Sequence, residues 1–311
     1  MPTSDALNFT EKPMIYESIE KFEYHVSCIQ YQSKITNFDN PGTEISITIN
    51  QEGLFTLPSE AFILIEGRLV KADGTSYVNA DAVTLVNNGL TYLFGRAEYQ
   101  LSGQYVENII ILGRTTTMIG LLKYPHYFQN VQGINQLWYK DSSTTAAIAT
   151  NLGFAPRQSY LIQEPNTKRK FSFSVPLKHI FGFCDTYNKV VYGLTHKLTL
   201  IRDDNNNAIF RATGTAAGQV NLTKVSLFIP HVKPSLEYEL KLNKEIELKI
   251  PLPVSYIERR SESIVVPQTT DFTWTVNITS SSTRPRFIIV GFQTNKNNSQ
   301  EQNPAIFDHC D

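Results

Sequence analysis

The feature that most constrains the fold is a repeated alternation of apolar and polar residues with a period of two. It is clearest in residues 171–210. There an alternating run over 171–176 is followed by an apolar and aromatic linker, 177–183, and by a second alternating run over 190–200. The polar cluster 202–207 indicates a turn, after which the strand pattern restarts. We therefore predict a strand that leads into a hairpin, whose arms each bury one face as in the wall of a β-sandwich.

The composition agrees with an all-β chain. The 311 residues are enough for two domains, and charged residues make up 18% against 11% aromatic residues. The formal net charge of -1 gives no general electrostatic reason to bind nucleic acid. The only cysteines, Cys28, Cys184 and Cys310, are widely spaced and odd in number. A disulfide framework is therefore not expected, and a reducing compartment is favoured.

The N-terminal residues 1–34 are polar with scattered aromatic residues. We predict that they form an N-terminal arm, which is either disordered or ordered only on a partner. They contain no positively charged region followed by an apolar core, so no secretion signal is expected. No stretch of the chain approaches the ~18 uninterrupted apolar residues that a membrane span needs, so no such span is expected.

Further strands are predicted in residues 35–114. Isoleucines occupy alternate positions in 45–49, and a second run begins with Phe62 and Leu64 on one face. The dipeptide at 102–103, Ser-Gly, indicates a tight reversal between two strands.

Residues 114–141 contain the one good helical candidate. Met118, Leu121 and Leu122 lie at helical spacing, and Pro125 is predicted to end or kink the helix.

The second half of the chain is predicted to begin a second sandwich. Residues 142–170 are expected to form a long loop. The small residues of 213–219 mark a linker and a domain boundary. Further strands are predicted at 220–229, 245–250, 254–257, 264–267, 272–276 and 285–292.

Short motifs that generic β-sheet composition does not explain also occur along the chain. The most specific are Leu-Leu-Lys-Tyr at 121–124 and Leu-Trp-Tyr-Lys-Asp at 137–141. Others are Pro-Leu-Lys-His-Ile-Phe at 176–181 and Asn-Pro-Ala-Ile-Phe-Asp-His at 303–309. In this order they resemble the double jelly-roll major capsid proteins, above all those of Polinton/Maverick elements and adintovirus-like viruses.

The resemblance implies an all-β fold of two tandem jelly-roll β-sandwiches, with a short helix and long loops inserted in the first. The implied order is the arm 1–34, a first jelly roll at 35–212, the linker 213–219 and a second jelly roll at 220–311. Only some strands of a jelly roll fit into 220–311. The second jelly roll is therefore expected to be incomplete, and the C-terminal end of the protein to be missing.

The resemblance also implies a structural function. Three copies would form a pseudo-hexagonal capsomer of an icosahedral shell, so the partners are the chain itself, the capsid lattice and a minor or penton capsid protein. The protein would be made in a reducing compartment of the host, cytoplasm or nucleus, and would reside in the virion capsid. No enzyme activity, cofactor, specific nucleic acid or membrane span is implied. No catalytic, cofactor-binding or metal-binding residue is predicted.

Other function classes stay open. One is a β-sandwich module that binds carbohydrate or a receptor, and another is a minor capsid protein. A jelly-roll metalloenzyme would need a His-x-His pair with a further His and a Glu. Neither Cys28 nor Cys184 has the flanking signature of a nucleophile. No such His pair is formed by the six histidines, which are His25, His126, His179, His196, His231 and His309.

Three clusters of charged residues carry weaker interpretations. Asp203-Asp204 lies in a turn cluster, and its carboxylates are expected to be solvated. The basic residues 168–170 with Arg157 could contact nucleic acid or an acidic partner, but a solvated loop end explains them better. Arg259-Arg260 is an equally modest signal.

Overall fold

The structure is a computed structural model, and every helix it describes is too short or too polar to cross a membrane. The described residues are 24–33, 37–38, 40–50, 53, 55–162, 170–248, 254–269, 271–276 and 285–308.

The secondary structure of these residues is mainly β. The strands are β1 (Tyr24–Gln32), β2 (Glu44–Ile49), β3 (Phe55–Thr56), β4 (Phe62–Lys71), β5 (Val83–Leu85), β6 (Phe94–Leu101), β7 (Gln104–Ile110), β8 (Lys170–Pro176), β9 (Val191–Tyr192), β10 (His196–Arg202), β11 (Ile209–Arg211) and β12 (Gly218–Pro234). The α-helices are α1 (Gly89–Tyr92), α2 (Leu112–Lys123), α3 (Phe154–Ile162), α4 (Leu177–Ile180), α5 (Gly182–Thr186) and α6 (Leu236–Glu247). Short 3-10 helices lie at Pro58–Glu60, His126–Asn130, Gln132–Gln136 and Asn205–Asn207.

Two antiparallel sheets enclose one core. The first has the order β1-β12-β4-β8, with β3 and β9 extending it, and the second has the order β2-β10-β6-β7. Strands β5 and β11 form a separate ribbon. Consecutive long strands mostly change sheet, and the first and last strands are neighbours. This is the topology of a jelly roll, and the prediction of an all-β fold is confirmed.

Several predicted strands are confirmed by their burial. The isoleucines of β2 alternate with more exposed residues and are at most 1% exposed. The apolar residues of β8 alternate in the same way. Strands β6 and β7 are joined at Ser102-Gly103, where both residues have positive φ, 46° and 80°. That is the tight reversal the sequence predicts.

The buried face of β4 differs from the prediction. Ile63 and Ile65 point into the core, whereas Phe62 and Leu64 are only half-buried. Phe62 instead stacks on Phe228 of β12, with ring centroids 4.9 Å apart. Both faces of this strand are apolar, so alternation alone could not choose between them.

The predicted hairpin after β8 is not formed. Residues 177–183 form α4 and the start of α5, while β10 pairs with β2 and β6. Strand β11 pairs with β5 instead of β10. The chain leaves the sheet at the polar cluster 202–207. There the side chain of buried Arg202 donates to the Leu93 carbonyl at 2.7 Å. Asp204 also caps the 3-10 helix by accepting from the Asn206 N–H at 3.0 Å.

The pairing of strands β1 and β12 bears on the predicted domain boundaries. The C-terminal half of β12 pairs with β1, from Ser226 opposite Gln32 to Pro234 opposite Tyr24, and its N-terminal half pairs with β4. The predicted boundaries assign β1 to an arm (1–34) and the start of β12 to a linker (213–219). In the structure both strands belong to the first sheet. The first sandwich closes at Pro234, because its last strand lies between β1 and β4. How the remaining residues divide stays a prediction.

Helix α2 lies where it was predicted and ends before Pro125. The apolar residues at helical spacing do not form its buried side, since Leu122 is 72% exposed. The helix packs instead through small residues such as Gly120, where an added Cβ would lie 2.4 Å from the Trp138 ring. The predicted loop 142–170 also contains a helix, α3.

The strands predicted after Pro234 are not formed in the described residues. The run expected at 245–250 belongs, up to Glu247, to α6, since its Leu, Glu and Lys residues favour a helix. Among the described residues, the other predicted strands have no neighbour with which to exchange backbone hydrogen bonds, and a strand needs one. Apart from one bridge between Phe292 and Asp308, no ladder forms in the described parts of 254–257, 264–267, 272–276 and 285–292.

Candidate assembly surface and its anchors

Two buried histidines are held as neutral hydrogen-bonding groups. The His196 Nε2 lies 2.8 Å from Thr56 Oγ1, and its Nδ1 lies 2.7 Å from the Tyr99 hydroxyl. The His179 Nδ1 lies 2.5 Å from Gln136 Oε1. Burial lowers the pKa of His196 to about 4 and that of His179 to about 3. Both side chains therefore serve packing and cross-linking of the fold.

The remaining histidines do not assemble a metal site in the described residues. His231 lies 3.0 Å from the Tyr31 hydroxyl, and His126 is exposed. The side chain of His25 and the whole of His309 lie outside the described residues. Within the ranges given above, no three His, Cys, Asp or Glu side chains are placed to hold a metal ion.

The cysteines and the acidic turn show ordinary structural roles. Cys28 is exposed, whereas Cys184 is buried and desolvation raises its pKa, which disfavours a thiolate. Cys310 lies outside the described residues. The Asp203 and Asp204 carboxylates accept backbone N–H groups of their own turn, at 2.8 and 3.0 Å. They are half-buried turn residues and not a pair of acids facing a cleft.

The predicted basic cluster is divided by the fold. The Arg157 side chain is fully buried and forms an ion pair with Asp141 at 2.5 Å, so it is not available to nucleic acid. Its Nε also donates to the Leu85 carbonyl at 2.8 Å. Lys170 begins β8, and residues 168–169 lie outside the described part of the chain.

The Leu-Trp-Tyr-Lys-Asp motif at 137–141 is an anchor for residues 296–308, which we call the C-terminal segment. Trp138 is 2% exposed, and the Asp141 carboxylate accepts from Asn151 at 2.7 Å and from Asn303 at 2.8 Å. Two motifs that carry the resemblance therefore contact each other, although 162 residues separate them. The sequence marks both motifs but gives no sign that they meet.

Gln300 forms a second anchor of the same segment. Its side-chain amide accepts from the Gly218 N–H and donates to the Gly218 carbonyl, both at 2.8 Å. Its backbone carbonyl accepts from the Arg211 N–H at 2.8 Å, and Arg211 forms an ion pair with Glu301 at 2.9 Å. Sequence reasoning missed this residue, because an isolated glutamine carries no motif.

A third anchor holds residues 256–261 and is centred on Glu107. This side chain of β7 is buried, and its carboxylate accepts the backbone N–H groups of Gly182, Phe183 and Arg259, each at 3.0 Å. Desolvation outweighs these bonds and raises the pKa of Glu107 to about 7. Arg259 thus has a definite structural partner, although its signal in the sequence is modest.

An open groove of about 470 Å³ lies between β7 and residues 256–260. Its arginines already have acidic partners, since Arg96 lies 2.8 Å from Glu98 and Arg260 lies 2.9 Å from Glu258. The groove therefore offers little uncompensated charge to an ionic ligand.

The anchors leave a large apolar surface exposed between them. We call the described residues of this region, 264–269, 271–276 and 285–292, the apolar stretch. In it Val265 is 93% exposed, Phe287 81% and Ile288 73%. Helix α6 adds Leu236 and Leu240, which are 71% and 61% exposed. Exposed apolar residues in such numbers mark a surface that contacts another part of a protein or another protein.

Comparison with known proteins gives a family and a set of similar folds. The family model of the double jelly roll-like domain matches residues 83–311, more than half of the chain. The Faustovirus major capsid protein is similar at 11% identity and a TM-score of 0.44, covering 76% of this chain and 59% of that one. The Sputnik virophage structure is similar at 10% identity and a TM-score of 0.46, covering 72% and 51%. The mavirus major capsid protein is similar at 13% identity and a TM-score of 0.42, covering 76% and 52%.

The chain therefore belongs to the double jelly roll-like domain family. It spans roughly half the length of the solved structures just named. A search of curated proteins gives no significant match.

Proposed function

We propose that the chain is a major capsid protein, which acts by assembling with copies of itself into an icosahedral shell. The observation that carries this proposal is its membership of the double jelly roll-like family, together with a first jelly roll that closes completely. The motifs that resemble major capsid proteins support it independently, because two of them form a buried contact. The role is structural, and the proposal assigns no catalytic residue.

The unit of assembly would be a homotrimer. Two similar sandwiches in each chain would give a trimer six similar walls, and six-sided tiles cover an icosahedral facet. The apolar stretch and the outer face of α6 supply the kind of surface that obligate oligomers bury.

The location would be the virion capsid, and a minor or penton capsid protein would be a second partner. The motifs favour the Polinton/Maverick and adintovirus type among capsid proteins. Synthesis in a reducing compartment of the host agrees with the free thiols of Cys28 and Cys184.

Negative-stain electron microscopy of the purified protein over a range of concentrations tests the proposal. We expect six-sided trimeric particles or curved sheets of them. Five-fold particles would assign the chain to the minor capsid proteins instead. Monomers that persist at high concentration would overturn the capsid role and favour a binding module.

A further inference from the structure

Residues 256–261, which we call the strap, run along the outer edge of β7. This strand is at the edge of its sheet, so one row of its backbone groups lacks a neighbouring strand. The strap covers that row with side chains: the Tyr256 hydroxyl donates to the Val106 carbonyl at 3.0 Å, and the Ser261 hydroxyl donates to the Ile110 carbonyl. No backbone ladder joins the strap to β7.

The strap is seated closely on helix α5. An added Cβ at Gly182 would lie 2.1 Å from the Ile257 carbonyl oxygen, so only glycine permits this approach. The Ile257 N–H donates to Thr186 Oγ1 at 2.9 Å. The Tyr256 ring packs edge-on against Phe183, with centroids 5.2 Å apart.

Arg259 fastens the middle of the strap. Its backbone N–H binds the buried Glu107 carboxylate, and its guanidinium donates to the carbonyls of His179 and Ile180 at the end of α4, at 3.0 and 2.7 Å. The same guanidinium forms an ion pair with Asp185 at 2.8 Å. One residue therefore binds the end of one helix, a side chain of the next and, through Glu107, the edge strand.

We propose that the strap guards the β7 edge. When docked, it occupies the Val106 and Ile110 carbonyls of β7 and prevents a strand of a second copy from pairing there. When released, the edge is open to strand addition, which is the usual route from an exposed edge to unwanted association. This inference goes beyond the capsid role and does not rest on it.

The substitution Gly182→Ala tests the guard without changing any charge. Its methyl group must push the Ile257 carbonyl away, so amide exchange of the 256–261 peptide should rise at least about tenfold. The variant should also form larger assemblies than the wild-type chain at equal concentration, as measured by light scattering after size exclusion. Gly95→Ala is the matched control, since its Cβ would meet nothing closer than 3.4 Å.

Arg259→Ala is a second test, which removes the contacts of the strap's own arginine. It replaces the first test if Gly182→Ala does not fold. Its control is Arg260→Ala, a neighbouring arginine whose side chain is 54% exposed. Faster exchange together with larger assemblies in the test variants alone would support the proposal. Unchanged exchange, or faster exchange without a change in assembly size, would overturn it.

Discussion

Asp141 and Arg157 form an ion pair with side chains that are 1% and 0% exposed. Desolvation of two such charges is costly, and their hydrogen bonds to Asn151, Asn303 and the Leu85 carbonyl offset that cost. The main effect of the pair is therefore to hold three parts of the chain together: the insert (residues 137–153), helix α3 and the C-terminal segment.

Arg157→Met should remove this connection. The Asp141 carboxylate would keep only amide donors, and we expect the free energy of unfolding to fall by about 3–5 kcal/mol in urea titrations. The double variant Arg157→Met with Asp141→Leu should recover part of the loss. Arg260→Met, on the surface, should stay within about 0.5 kcal/mol of the wild type. A single variant as stable as the wild type would show that the pair is dispensable.

The buried His196 predicts a dependence of stability on pH. Its pKa falls from 6.5 to about 4 on folding, so the unfolded chain takes up the proton first as the pH falls. Stability is therefore lost as the pH falls from about 6.5 to about 4, by up to about 3 kcal/mol for this group. Glu107 acts in the opposite sense, since its raised pKa removes stability as the pH rises from 4.5 to about 7.

The two effects are separated by substitution. His196→Gln can still bind Thr56 and Tyr99 but cannot be protonated, so it should lose less stability than the wild type on acidification. His126→Gln changes an exposed histidine and should follow the wild type. Chemical denaturation at intervals between pH 4.5 and 7.5 provides the comparison, and parallel curves for the wild type and His196→Gln would contradict the assignment.

These residue-level connections could not be predicted from the sequence. Arg259 lies 152 residues from Glu107, and Asn303 lies 162 residues from Asp141. No spacing rule reaches across such distances, because the fold alone decides which side chains meet. The motifs at 137–141 and 303–309 were identifiable as unusual, but not as partners.

At the scale of elements, β12 has the largest role in the fold. Its 17 residues pair with β4 over one half and with β1 over the other. Buried Val225, Leu227 and Ile229 carry it through the core. It therefore joins the first strand of the sandwich to β4.

Truncation tests this role. A protein of residues 1–212 lacks β12, and we expect it to show no cooperative thermal transition, because β1 and β4 would then present unpaired edges. Residues 1–248 retain every strand of the sandwich and should unfold cooperatively. Circular dichroism melting of both proteins distinguishes the two cases. Cooperative unfolding of 1–212 would restore the boundary that the sequence favoured.

The sequence pattern predicted those elements that neighbouring residues specify on their own. Strands β2 and β8 have one exposed face, so alternation identifies them, and Ser102-Gly103 specifies its own turn. The start of β12 was mistaken for the end of a linker because the small residues of 213–219 precede it. The last three residues of helix α6 were predicted to begin a strand because apolar residues alternate in 245–250, although most side chains of this helix face solvent.

At the scale of the whole molecule, the anchors and the apolar stretch have different roles. Polar contacts hold 256–261 and 296–308 on the first sandwich, while the residues between them expose apolar side chains. The anchored ends set where this surface lies, and the surface itself contributes little to the stability of the sandwich.

Charges placed on this surface should separate assembly from folding. We expect Val265→Lys with Phe287→Lys to reduce self-association and the binding of an apolar fluorescent dye. The free energy of unfolding should change by less than about 0.5 kcal/mol per substitution, because both sites are exposed. Leu152→Lys, at a position 79% exposed on the insert, is the control and should leave association unchanged. Sedimentation velocity measures the outcome, and equal association in all three proteins would exclude the apolar stretch as the contact surface.

The pairing of Tyr24 with Pro234 has a consequence for how such a chain can arise. The two ends of the sandwich lie side by side, so the unit begins and finishes at one place. A gene for this unit can be duplicated head to tail, and the new copy can fold beside the old one without threading a strand through it. Tandem repetition is therefore topologically simple for this fold, and a single ancestral sandwich is a sufficient starting point for a protein that carries two.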